Sequence, residues 1–222
     1  MLRKLITIFC LLLSVDISAQ SRYELQYDEK KMPPKPEKYT GQENYKFPGN
    51  PLPPFKVVSL PWVELFLEKD PQGKRTEQIR EVVPMKTYTN SDLPADKNVI
   101  VMLFNPTCGH CEEQTELFVK NLHAFKNTQL MLVAGPAMGP YMNNFAQKFN
   151  LKDYPQIWLG LDYDSFIEKA FLYSALPQLC IYNKDKKLIR MMSGGTPLDS
   201  LRQYIQSGSE NLYREDKKSA VS

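Results

Sequence analysis

The sequence predicts an α/β fold in which a central mixed sheet is flanked by helices and ends in a C-terminal β-hairpin and helix. A continuous apolar run at residues 98–104 fits a strand that is covered on both faces. The strand, helix, strand, helix order that follows is typical of parallel strands joined by crossover helices. Two apolar segments at 178–182 and 187–192, separated by a polar turn, indicate an antiparallel hairpin.

The remaining elements are predicted from local patterns. The helix after the first strand has acids in its first turn, where the positive end of the helix dipole favours them, and an apolar stripe that continues to Phe125. Thr196 is a candidate cap and Pro197 opens the last helix. Between these lie a strand at 129–134, a helix at 140–149, a short strand at 157–161 and a helix at 164–171. Upstream, we expect a strand at 55–60, a strand or helix at 76–83 and a capped turn at 90–93.

The first 19 residues predict a signal peptide. Arg3 and Lys4 precede an apolar run at 5–13, which is about half of the ~20 residues needed to cross a bilayer. We therefore expect an exported protein in the periplasm or on the outer face of a bacterial membrane, with membrane proximity through the N-terminal segment left open. Residues 20–53 contain six prolines and predict an extended tether or a strap lying on the domain. One domain is expected at 54–207 and a frayed tail at 208–222.

Composition excludes several classes of protein. The 28 basic and 25 acidic residues give a net charge of +3, with no dense basic stripe in the central chain, so nucleic acid is not an expected partner. Four cysteines among 222 residues are too few for a disulfide-dense scaffold. Because no second cysteine pair has zinc-finger spacing, a structural zinc module is not expected either.

The segment Cys108-Gly109-His110-Cys111 is the strongest functional signal. Two sulfurs lie three residues apart at the start of a helix that directly follows the central strand, where a disulfide closes with little backbone movement. The free N–H groups of the helix stabilise a thiolate on the first cysteine. Cys108 is therefore the predicted nucleophile and Cys111 the resolving thiol. This disulfide is the only redox group predicted, with no metal or organic cofactor.

Other interpretations of the Cys108/Cys111 pair stay open. His110 adds positive character that favours the Cys108 thiolate and an oxidising pair, whereas Glu112 and Glu113 oppose it. A structural disulfide without turnover and a zinc or copper site with a histidine are the alternatives for the pair itself. For the whole protein, the alternatives are a non-catalytic binding module and a metallochaperone. Haem attachment would need histidine in place of Glu112.

With these motifs, the chain resembles the thioredoxin-like superfamily, and specifically the exported TlpA/ResA-like thiol-disulfide oxidoreductases. The resemblance covers about residues 54–206 and rests on the strand-CxxC-helix unit, the Leu176-Pro177 step and the final hairpin and helix. It implies that Pro177 is cis and faces the disulfide, and that Leu176 offers backbone hydrogen bonds to a bound cysteine peptide. Cysteine-containing proteins are then the expected substrates, together with an unidentified redox partner. Reduction is the first expectation, with oxidation or isomerisation left open.

Three positions depart from the family pattern. The buried acid of thioredoxins falls here on Met102, and the acid that ResA-like proteins carry after the second cysteine falls on Gln114. Thr107 replaces the usual aromatic residue before the first cysteine. Proton transfer to Cys111 must therefore use neighbouring acids, water or substrate. Cys180 is expected to be a buried thiol or a third redox thiol.

Overall fold

A mixed sheet forms the centre of the protein. The computed structural model describes residues 45–69, 71–164, 166–167, 171 and 175–206, with the backbone alone for 62–67, 77–83 and 206. Within these residues the strands are β1 (Lys56–Val58), β2 (Trp62–Lys69), β3 (Arg75–Val83), β4 (Thr87–Thr89), β5 (Asn98–Leu103), β6 (Thr128–Ala134), β7 (Ile157–Asp162), β8 (Gln178–Tyr182) and β9 (Leu188–Ser193). The helices are α1 (Gly109–Lys120), α2 (Gly139–Lys148) and α3 (Leu198–Gln206).

Seven of these strands share one sheet, in the order β4-β1-β7-β6-β5-β8-β9. The central strands β5, β6 and β7 are parallel, and β8, β9, β1 and β4 each pair antiparallel with a neighbour. Parallel neighbours require crossover connections, which α1 and α2 supply between β5, β6 and β7. The predicted central mixed sheet with flanking helices and a C-terminal hairpin and helix is confirmed.

The core is built on the two central strands, as expected from their apolar sequences. Each residue of β6 is buried, and in β5 only Asn98 is partly exposed. Phe118 of α1 and Phe125 meet edge to face at 5.2 Å on the helical side. At the other end of the sheet β1 lies so close to β7 that a Cβ on Gly160 would come within 2.7 Å of the Val58 carbonyl oxygen. A glycine is therefore required there.

Residues 45–53, which belong to the segment predicted as a tether or a strap, are part of the packed unit. Tyr45 and Leu52 are buried in the core cluster, because they are among the few large apolar residues in a proline-rich stretch. The Leu52 N–H donates to the Lys186 carbonyl at 2.7 Å, and the Gly49 N–H donates to that of Leu188 at 2.8 Å. Residues 45–53 therefore lie along the β8–β9 hairpin as a strap. Residues 1–44 and 207–222 fall outside the described chain, and with them the predicted signal peptide and tail.

Two other elements differ from the sequence prediction. Helix α1 ends at Lys120, and a separate 3-10 turn covers Leu122–Phe125, because the Asn121 side chain bonds back to the Leu117 carbonyl at 2.8 Å. The hairpin β2–β3 forms its own two-stranded sheet. The sequence predicts only a strand or helix at 76–83 in this region and no hairpin. Most of the predicted helix at 164–171 lies outside the described residues.

Candidate active site

A tight turn connects the central strand β5 to helix α1, which carries the cysteine pair. The Asn105 Oδ1 accepts hydrogen bonds from the N–H and the hydroxyl of Thr107, both at 2.9 Å. The Asn105 carbonyl accepts the Cys108 N–H at 3.1 Å. Asparagine favours such turns because its short side chain bonds to the backbone two residues on. The turn places Cys108 at the N-cap of α1, directly beyond the end of β5.

The two cysteines of the pair differ in exposure. Cys108 is partly exposed and Cys111, one turn deeper in α1, has no exposed surface. The Cys108 carbonyl accepts the N–H groups of Cys111 and Glu112 at 3.0 and 3.1 Å. Both are free thiols. An incoming disulfide can therefore reach Cys108 first, while Cys111 is shielded behind it.

The local environment disfavours a thiolate on Cys111. Burial raises the pKa of Cys111 to about 12, and the hydrogen bond and charge of Cys108 and the charge of Glu112 act in the same direction. A hydrogen bond from the Asn105 backbone acts against them. Since burial penalises the charged form of a thiol, Cys111 is protonated near neutral pH and must lose its proton when it attacks.

The other residues of the motif face solvent. His110 Nδ1 lies 3.2 Å from Glu113 Oε2, with their side chains 73% and 75% exposed. Glu112 is paired with Lys148 of α2 at 2.7 Å. Exposed ion pairs of this kind contribute little to stability. A Cβ on Gly109 would meet no atom within 4 Å, so the surface beside Cys108 is open at this position.

The Leu176-Pro177 step lies at the same end of the central strands as the cysteine pair, beyond the last residue of β5 and the first residue of β8. Its peptide bond is cis, Pro177 is buried, and Leu176 is partly buried against the core cluster. Gln178, the first residue of β8, pairs with Leu103, the last residue of β5. Pro177 thus adjoins the chain that runs on into the Cys108 turn.

The architecture is decided by the order of its elements: a central strand, the helix with the cysteine pair, two crossover units, and then Pro177, an antiparallel hairpin and a last helix. The described chain has a thioredoxin-like fold. One end of the central strands carries both cysteines of the pair together with Leu176 and Pro177. Cys180 lies within β8 instead.

Of the three positions that depart from the pattern of the family that the chain resembles, Met102 and Gln114 are buried without charge, whereas Thr107 is exposed. Met102 has no exposed surface and lies in β5. Gln114 is 2% exposed and accepts a hydrogen bond from the Thr196 N–H at 2.7 Å, a contact that the sequence did not reveal. The only available signal was a polar residue on the apolar side of α1.

Cys180 lies within the thioredoxin-like sheet, away from the pair. It has no exposed surface, and burial raises the pKa of its thiol to about 12. Among the residues that the structure describes, no three histidine, cysteine or acidic side chains are grouped so as to hold a metal ion. Within the same residues, no helix is long and apolar enough to cross a membrane.

Comparisons with known proteins found matches among solved structures. No family model matches the chain, and no curated protein does. The thioredoxin domain of a thiol-disulfide oxidoreductase from Bacteroides vulgatus is 14% identical with a TM-score of 0.48, over 74% of this chain and 99% of that one. A thiol:disulfide interchange protein from Bacteroides sp. is 14% identical with a TM-score of 0.48, over 75% and 95%. StoA from Bacillus subtilis is 15% identical with a TM-score of 0.39, over 65% and 97%.

Proposed function

We propose that this protein is an exported thiol-disulfide oxidoreductase that exchanges disulfides with protein substrates through Cys108 and Cys111, in the direction of reduction. The observation that carries the proposal is the unequal placement of the two thiols. Cys108 is partly exposed at a helix N-cap and Cys111 is buried one turn deeper. This arrangement gives one attacking thiol and one resolving thiol, as disulfide exchange requires.

The reaction has two exchange steps. The Cys108 thiolate attacks one sulfur of a substrate disulfide, whose S–S bond breaks, and the other substrate sulfur leaves as a thiolate. Cys111 then loses its proton and attacks the Cys108 sulfur, so the mixed disulfide breaks and the second substrate thiolate leaves. The substrate gains two electrons, and the pair becomes a disulfide. A dithiol of the unidentified redox partner would reduce the pair again.

The substrate would lie as an extended cysteine-bearing peptide beside Pro177. Leu176 lies two residues before the start of β8, an inner strand of the sheet, so its backbone groups lie just beyond the end of that strand, where an extended peptide could pair with them. The open surface at Gly109 leaves room beside the attacking sulfur. His110 would favour the Cys108 thiolate when protonated, and its pairing with Glu113 at 3.2 Å would moderate that effect.

The test compares three cysteine variants, and the activity measured is the reduction of insulin disulfides. Cys108→Ser should abolish insulin reduction, because the attacking sulfur is lost. Cys111→Ser should accumulate mixed disulfides with substrate, since no thiol remains to resolve them. Cys180→Ser is the matched control and should keep full activity, because this thiol is buried away from the pair. Full activity in Cys108→Ser would disprove the proposal.

A binding module is the second candidate. Met102 and Gln114 leave the buried surroundings of Cys111 without the acids that the resemblance implies, which would suit a thioredoxin-like surface whose disulfide does not turn over. Such a protein should bind its partner equally well as the parent and as Cys108→Ser. Pull-down with both forms, compared with insulin reduction, distinguishes the two functions.

A further inference from the structure

One glutamine connects the redox helix to a distant part of the chain. Gln114 follows Cys111 by three positions, and its Oε1 accepts the Thr196 N–H at 2.7 Å across 82 positions of sequence. Both residues are buried. Because a buried polar group is costly without its partner, this hydrogen bond fixes where α1 lies relative to the segment after β9.

That segment leads directly to Pro177. Gly194 turns the chain after β9 at φ 82, a conformation that favours glycine. Its N–H donates to the Pro177 carbonyl at 2.8 Å. The Thr196 hydroxyl donates to the Gly194 carbonyl at 3.4 Å. A continuous path of hydrogen bonds therefore runs from Gln114 through Thr196 and Gly194 to Pro177.

Pro177 is also located from its other side. Gln178 pairs with Leu103 at the end of β5, and β5 runs on into the turn that carries Cys108. The strand before the pair and the helix that contains Cys111 thus both hold the proline. Of these two supports, only the path through Gln114 and Thr196 depends on side chains, so its contact with α1 can be removed by substitution of Gln114.

We propose that Gln114 is a positioning residue. Through Thr196 and Gly194 it holds Pro177 in place relative to α1, so that a substrate cysteine beside Pro177 lies within reach of Cys108. The inference rests on the proposed oxidoreductase function. A neutral amide suits this place, because a negative charge near Cys111 would further disfavour the thiolate that has to form there. Gln114 touches neither substrate nor the reacting sulfurs in this role.

The experiment compares three variants of the full chain. Gln114→Met removes the acceptor, whereas Gln114→Glu keeps one. Gln129→Met is the matched control, since it removes another buried glutamine, which donates to the Gln156 carbonyl at 2.8 Å at the start of β6. The readouts are KM and kcat for a self-quenched peptide disulfide with dithiothreitol as reductant, together with hydrogen exchange of the Gly194 and Thr196 amides.

Gln114→Met should raise KM by about tenfold, the scale expected when a buried donor loses its partner, with kcat little changed. Exchange protection at Gly194 and Thr196 should fall. Gln114→Glu should restore a KM close to that of the parent, and Gln129→Met should lose stability at unchanged KM. Should the methionine variant not fold, Gln114→Asn gives the same test, because it withdraws the amide by one methylene.

Two failures are distinguishable. If the parent does not reduce the peptide, the proposed function is wrong and the positioning role falls with it. If the parent reduces the peptide but Gln114→Met or Gln114→Asn keeps the parental KM, the function stands and the positioning role is overturned. Equal KM values for Gln114→Met and Gln129→Met would likewise show that Gln114 contributes to the stability of the fold and not to the position of the substrate.

Discussion

Raising the pH should accelerate the attack of Cys111 on a mixed disulfide by about tenfold per pH unit, because only the thiolate attacks. The magnitude follows from burial, which raises the pKa of Cys111 from 9.0 to about 12. At pH 7 the thiolate fraction is then about 10⁻⁵, against about 10⁻² for an ordinary cysteine, a difference worth about 4 kcal/mol. In the mixed disulfide the contributions of Cys108 disappear, but burial, the largest cause, remains.

The assay isolates this step. The Cys108 mixed disulfide with thionitrobenzoate is prepared at acidic pH and then jumped to a series of higher pH values. Release of the thionitrobenzoate that is bound to Cys108 reports the attack of Cys111 on the Cys108 sulfur. Cys111→Ser is the control and should show no such release. The logarithm of the rate should rise linearly to at least pH 9 or so. A plateau below about pH 8 would refute the reasoning from burial, because it would show a much lower pKa for Cys111.

Two buried groups, Asp162 and Cys180, and the half-buried Lys186 lie away from the pair and give further expected outcomes. Burial raises the pKa of the Asp162 carboxyl from 3.8 to about 6, so the folded state binds this proton more tightly than the unfolded state. The free energy of unfolding should therefore fall by about 3 kcal/mol from this group as the pH rises from about 4 to about 7; Asp162→Asn should lose that dependence in urea denaturation, and a parental pH slope would contradict it. Because Cys180 is buried, its thiol should react with Ellman's reagent only after unfolding, and a fast reaction in native Cys108→Ser, Cys111→Ser protein would contradict that. The Lys186 ammonium donates to the carbonyls of Pro94, Lys97 and Lys184 at 2.7, 2.9 and 2.8 Å. Lys186→Met should cost about 1–3 kcal/mol of unfolding free energy, while the exposed neighbour change Lys187→Met should cost little, and equal losses in the two variants would show that these contacts do not contribute.

Much of the sheet could be predicted from the sequence because burial on both faces leaves an unbroken apolar run. Residues 98–104 and 129–134 have such runs, and the helix that follows each of them has a clear apolar stripe. The hairpin β2–β3 was harder to predict, because charged residues interrupt both of its strands. The three-residue strand β4 is too short for a periodic pattern.

The candidate site was predictable where it depends on local sequence. The spacing of Cys108 and Cys111 and their position at a helix start are visible in the chain. The Gln114 contact is not, because its partner is a backbone N–H 82 positions away, which carries no residue-type signal. For residues 20–53 the sequence left a tether and a strap open, because prolines suit both. The packing of Tyr45 and Leu52 in the core cluster agrees with a strap.

The redox potential of the Cys108/Cys111 pair tests the central claim most directly. The protein is equilibrated against glutathione buffers of stepped ratio, and its free thiols are trapped with acid and alkylated for mass determination. A pair that exchanges disulfides should equilibrate with a potential well above about −300 mV. A potential below about −300 mV, typical of structural disulfides, would contradict the proposed oxidoreductase.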